Sequence, residues 1–219
     1  MVMQKPQYGR HQKEVFKAVF VVNDAADDQN LMDKILKQES KLADIREKIV
    51  FDIVSTQMAI HYMFESEAKL RAFFRNVTDR LEPGSFFIGT TIDSDELVYR
   101  IREHGGGRNK IENEFYTVVL PQDTFSKSKS PYGLKYYFYL KEAIGKETQM
   151  HDKRPKMVDE FLVVFDEMER VAKEYGLKLV MKKNIRQYFD DMTSPSPASE
   201  SLRQEGMMAI PPLKAREYN

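Results

Sequence analysis

The chain has 219 residues, of which 42% are hydrophobic and 31% charged, which suits one globular domain with a core of its own. Lys plus Arg number 34 and Asp plus Glu number 34, so overall charge gives no argument for a nucleic-acid partner, and any such site must come from a local patch. The lack of cysteine excludes disulfides, zinc knuckles and thiol nucleophiles. His11, His61, His104 and His151 show no metal-ligand spacing, and no apolar run reaches membrane-span length, so neither a metal nor a membrane is expected.

Residues 15–22 (VFKAVFVV) are β-branched and aromatic and end at Asn23-Asp24, which predicts a strand running into a loop. Leu31, Ile35, Leu36 and Leu42 space a helix across the charge-rich stretch 27–48. The short apolar run 49–55 (IVFDIVS) predicts a buried parallel strand. Leu70, Phe73, Phe74, Val77 and Leu81 recur at helical spacing, and Pro83-Gly84 stops the helix. Residues 85–90 predict another buried strand, followed by a helix capped by Asp93 or Ser94 that runs to His104 and Gly105. Residues 115–120 and 133–140 alternate as an antiparallel pair. Phe161, Phe165, Met168, Val171 and Tyr175 mark an amphipathic helix ended by Gly176, and 177–182 (LKLVMK) predicts a last strand. Beyond Phe189 the chain turns Ser/Pro/Met-rich, as disordered tails do. The order is that of a doubly wound α/β sheet with an antiparallel insertion.

Ligands of such sheets bind outside the carboxyl ends of the strands. Three of those ends are polar here: Asn23-Asp24, Ser55-Thr56-Gln57 and Thr90-Thr91-Ile92-Asp93-Ser94. Taken singly, each serves equally well as an ordinary loop or helix cap.

The stretch 51–66, FDIVSTQMAIHYMFES, resembles the post-strand motif of the eukaryotic mRNA cap guanine-N(7) methyltransferases. The resemblance continues in Leu81-Glu82-Pro83-Gly84, Phe87-Ile88-Gly89-Thr90-Thr91, Asn113-Glu114-Phe115-Tyr116, Tyr132-Gly133-Leu134-Lys135-Tyr136 and 160–189, and covers roughly 15–190. It implies a Rossmann-like class I fold that uses S-adenosylmethionine to methylate the cap guanine of mRNA in the nucleus. Animal forms of the family add a small activating subunit. The resemblance further implies that Asp24, Gln57 and Tyr62 border the cofactor, and that His61 and Glu114 face the guanine. No catalytic base is implied, because the guanine nitrogen attacks a methyl already activated on a sulfonium, and alignment and electrostatics suffice.

The chain departs from the family in four places. The glycine-rich turn and the acidic strand end that open the family's domain have no counterpart, since Gly9 is the only glycine before Gly84. Residues 1–14 match only a linker, 191–219 read as an irregular tail, and Met58 stands where the family has an aromatic. The expectation is a partial catalytic domain over 15–190, truncated on its N-terminal side, that binds cofactor poorly and has little or no activity. With the intervening strands absent, 15–22 is expected to pair directly with 49–55. Two other readings stand beside the enzyme: a capped-RNA-binding remnant, and a general RNA-binding module using Lys127, Lys129 and Lys135 with Tyr132, Tyr136 and Tyr137.

Overall fold

The computed structural model describes residues 20–27, 31, 33, 49–122, 124–125, 129–141 and 157–193. Strand β1 (Phe51–Gln57) pairs in parallel with β2 (Leu81–Thr90). A 3₁₀ turn (Ile60–Glu65) and helix α1 (Glu67–Thr78) make the crossover between them. A parallel pair needs such a crossover, and this one buries its apolar side on the sheet. Ser66 caps α1 by accepting the Lys69 amide, 3.2 Å away. Leu70, Phe73, Phe74 and Val77 of α1 bury against Val54, Phe87, Ile60 and Phe64.

Helix α2 (Ser94–His104) follows, capped by Asp93 as its sequence position predicts, the carboxylate accepting the Glu96 amide at 3.1 Å. Four antiparallel strands then form a second sheet in chain order: β3 (Lys110–Glu112), β4 (Tyr116–Val119), β5 (Lys135–Leu140) and β6 (Val158–Phe161). Helix α3 (Phe165–Glu174) packs on α1, clamped by Arg71 donating to Glu174 at 2.7 Å, and α4 (Ile185–Thr193) is the last described element. A second cluster, Leu97, Ile101, Val118, Leu134, Tyr136 and Leu162, sits between α2 and the antiparallel sheet.

The α/β class and the antiparallel insertion agree with the sequence reading, but three elements differ. Residues 20–22 join no strand, and Phe20 and Val22 stand exposed; 15–19 lie outside the described residues, as does nearly all of the predicted helix 27–48. The expected pairing of 20–22 with β1 is therefore not made. The chain turns at once instead, Asp27 donating its amide to the Asp24 carbonyl at 3.0 Å, and Asn76 of α1 holds the Ala25 and Asp27 carbonyls. Residues 177–182 also form no strand, and Leu179, Val180 and Met181 are exposed, because alternation without a ladder partner does not make one. Phe161, read as the first residue of the amphipathic helix, belongs instead to β6, because β5 offers 158–161 a ladder. Pro83-Gly84 falls inside β2, where the register jumps between Phe51↔Leu81 and Ile53↔Phe86 and Gly84 takes φ +90. The linker 1–14 lies outside the described residues; of the irregular tail expected over 191–219, residues 191–193 instead complete helix α4, and the rest lie outside the described residues.

Candidate functional site

The carboxyl ends of β1 and β2 lie side by side, with Gln57 and Thr90 as direct register partners. Thr90 donates its hydroxyl to Gln57 Oε1 at 2.9 Å, and Gln57 Nε2 donates to Ser55 Oγ at 2.9 Å. The backbone then breaks direction. Met58 adopts φ 50, a left-handed conformation uncommon outside glycine, and its amide donates to the Thr90 carbonyl at 3.0 Å. This reversal launches the 3₁₀ turn sideways from the sheet, and places His61 and Tyr62 against the antiparallel strands.

Between the two sheets lies a pocket of about 120 Å³. Met58, His61 and Tyr62 supply one wall. Ile92, just past β2, and Leu97 of α2 supply another, and Val118, Tyr136, Phe138 and Glu160 come from β4, β5 and β6. Most of this lining is apolar, and its polar groups converge on one carboxylate. Glu160 is 5% exposed. Its Oε2 accepts the Tyr136 hydroxyl at 2.5 Å and its Oε1 the Tyr62 hydroxyl at 3.3 Å. His61 Nε2 stands 3.5 Å from Oε1, too far for a good hydrogen bond. Burial pushes the Glu160 carboxyl up, but the neighbouring His61 and the two tyrosine hydroxyls outweigh it, so the group titrates below its ordinary range. Burial and the same carboxylate raise both tyrosines, which stay protonated donors.

His61 is 4% exposed, and neither ring nitrogen has a hydrogen-bond partner among the described residues. Buried polar nitrogens are nearly always paired, so two orphans facing a pocket call for a polar ligand or water. The tilted ring of Tyr62 lies 4.2 Å away and fixes the imidazole plane.

Of the residues singled out in the sequence, His61 and Tyr62 line the pocket. Gln57 is exposed one residue before Met58, at the strand-end side of it. Asp24 lies in the turn beside α1, with Oδ1 accepting the Ala26 amide at 2.9 Å and Oδ2 lying 3.9 Å from Lys69 Nζ. Glu114 is exposed in the β3–β4 turn, which Asn113 closes by accepting the Phe115 and Tyr116 amides, and it does not line the pocket. Sequence reasoning did not single out Glu160 as a site residue, and took Tyr136 only for a stacking residue of the RNA-binding alternative. Tyr136 carried a usable signal: a tyrosine at a core-facing strand position must find a buried acceptor. Of the alternative RNA surface, Tyr137 is exposed and Lys127 lies outside the described residues. Tyr132 and Tyr136 are buried, and Lys135 is paired with Asp159 at 2.5 Å.

An apolar slot ending in a buried carboxylate lies beside the polar carboxyl ends of two parallel strands, where α/β proteins commonly bind ligands. Comparison with known proteins makes the class specific. The model of the mRNA (guanine-N(7))-methyltransferase domain matches residues 4–208, and the chain belongs to that family. The mRNA cap guanine-N(7) methyltransferase of Schizosaccharomyces pombe is 36% identical over 133 residues, covering 61% of this chain and 34% of its own length. The mRNA cap guanine-N(7) methyltransferase 1 of Arabidopsis thaliana is 30% identical over 180 residues, covering 81% of this chain and 42% of its own. The corresponding protein of Candida glabrata is 33% identical over 144 residues, 63% of this chain and 31% of its own. The chain thus spans between about a third and two-fifths of the length of each of these three relatives.

Proposed function

We propose that this protein takes part in methylating the N7 of the guanine cap of mRNA, with S-adenosylmethionine as methyl donor, and that the pocket on Glu160 receives the guanine. One observation carries the assignment: a buried, ionised carboxylate and an imidazole without a good hydrogen bond line an apolar slot in a chain of this family. A guanine edge presents N1–H and amino donors that adenine lacks, and a carboxylate accepts both. Two of the lone-pair positions of Glu160 are taken by tyrosine hydroxyls, and an ionised carboxylate has about four. We therefore favour Glu160 over the exposed Glu114 for this role. Glu114, on the neighbouring turn, is left to contact a more distal part of the capped RNA.

The donor's sulfonium supplies a methyl group that needs no further activation. What the chain must do is bind, orient and exclude water. The exposed amide of Gln57 at the end of β1 is the polar group that fits the donor's adenosine there, beside Tyr62 at the edge of the guanine pocket, and Asp24, in the turn beside α1, is proposed for the same ligand on the family resemblance alone. Glu160, Tyr62 and His61 would fix the base in its plane, so that N7, the methyl carbon and sulfur fall in line. The carboxylate also faces the positive charge that grows on the guanine as N7 is alkylated. A nuclear site of action and a small activating subunit rest on the family resemblance alone.

Methyl transfer from labelled S-adenosylmethionine to guanine-capped RNA tests the proposal. Label at N7 that is lost with Glu160→Gln is the expected result. Label placed elsewhere, or transfer indifferent to Glu160→Gln, would remove this pocket from the reaction.

A further inference from the structure

Methylation at N7 changes the charge of the guanine. The precursor base is neutral, and the product carries one positive charge shared through the ring; that charge also acidifies N1–H, and as long as the proton is held both bases offer the same N1–H and amino donors. The pocket that would hold them has a marked charge of its own. Glu160 is its one ionised group, since Tyr62 and Tyr136 are held protonated. The remaining walls, such as Leu97 of α2 and Val118 of β4, are apolar. Among the described residues lining it, the only group that can become a cation is His61, whose Nε2 lies 3.5 Å from the same Oε1 that accepts from Tyr62.

We propose that this pocket binds the cationic, N7-methylated guanine more tightly than its neutral precursor, and that His61 sets the size of that preference. The inference rests on the guanine-pocket reading above. A charge beside a buried carboxylate is attracted far more strongly than it would be in water, because little solvent is left to screen it. With His61 neutral the pocket has a net negative charge and rewards the methylated base. With His61 protonated the imidazolium neutralises Glu160 from inside, and the reward disappears. Glu160 faces His61 from β6, Tyr136 from β5 and Tyr62 from its own turn, and neither tyrosine changes charge where an imidazole titrates. The protein would accordingly hold its finished cap and release it more readily as pH falls.

Calorimetric titration of the intact 219-residue chain with GTP and with 7-methyl-GTP separates the possibilities. The two ligands share their phosphates, so their ratio isolates the base. At about pH 7 the methylated nucleotide should bind on the order of tenfold more tightly, and the preference should shrink as the pH is lowered. His61→Gln should keep the preference throughout. Equal affinities at neutral pH, or a preference that does not shrink below it, would overturn the proposal while leaving a guanine pocket in place. Failure of both nucleotides to bind would sink the guanine-pocket reading itself. The wild-type ratio needs no variant, so the outcome does not depend on whether His61→Gln folds.

Discussion

Tyr136 and Glu160 are direct register partners across β5 and β6, and the tyrosine hydroxyl reaches the carboxylate Oε2 at 2.5 Å. The ladder that holds the two strands together therefore also sets the pocket's one charge in place. Tyr136→Phe keeps the ring and removes the donor. It should destabilise the fold by about 1–2 kcal/mol, since a buried charge loses a partner. Urea denaturation measures it, and a change under a few tenths of a kcal/mol would show that water fills the gap.

Glu114→Ala should leave binding of a cap nucleotide within about twofold of the parent chain, while Glu160→Gln weakens it by an order of magnitude or more, the loss of a charged acceptor being worth about 1–3 kcal/mol. Nucleotide titration of both variants checks this. The reverse ranking would return the guanine-reading role to the β3–β4 turn.

Gly89→Ala should disturb the site from below. A Cβ there would meet Ile60 Cδ1 at 2.8 Å and the Thr56 carbonyl at 3.0 Å. The Ile60 methyl can swing away, but the β1 backbone cannot, so the strand pair or the 3₁₀ turn has to shift. A loss of about 1–3 kcal/mol is expected, with weakened nucleotide binding alongside it. Unchanged melting and binding would mean that the turn tolerates movement without consequence.

Ser94 ties the start of α2 to the segment after β6, its Oγ accepting the Val163 amide at 2.6 Å where both residues are buried. Ser94→Ala leaves that amide unpaired and should cost about 1–3 kcal/mol. Asp93→Ala at the exposed cap should cost about 0.5–2 kcal/mol. Thermal melts of the two variants give the comparison, and a cheaper Ser94 would mean that another acceptor reaches Val163.

The Arg170 guanidinium, helped by the Tyr132 hydroxyl, holds the Glu167 carboxyl down at about 2, against 4.5 for an unperturbed group. A carboxyl lowered in the folded state adds stability that is complete above its unfolded value and is lost as pH falls toward the folded one. Melting temperature should therefore decline between about pH 4.5 and pH 2, and Glu167→Gln should flatten part of that decline. A melting curve indifferent to Glu167→Gln across this window would mean that the pairing of Glu167 with Arg170 and Tyr132 contributes nothing to folding.

Local signals in the sequence placed what local chemistry decides. Asp93 caps α2 where a short acceptor before an apolar repeat says it should, and β1 lies within two residues of the run 49–55. Pairing at a distance was not legible. Phe161 continues the apolar period of Phe165 and Met168, so it read as helix until β5 supplied 158–161 with a ladder. The segment 177–182 has a strand's alternation and no ladder among the described residues. The candidate site divides the same way. His61 and Tyr62 come from one contiguous motif, whereas Glu160 meets them from almost a hundred residues away, through a strand whose existence depends on its neighbour.

The chain contains no tryptophan, so excitation energy absorbed by its tyrosines is not drained to an indole. Tyr62 and Tyr136 both donate to the same ionised carboxylate, an arrangement that quenches phenol emission. A ligand that draws Glu160 toward its own donors loosens that grip, and the two rings should brighten. Two of the chain's eleven tyrosines thereby tie part of its intrinsic emission to whether the pocket is filled.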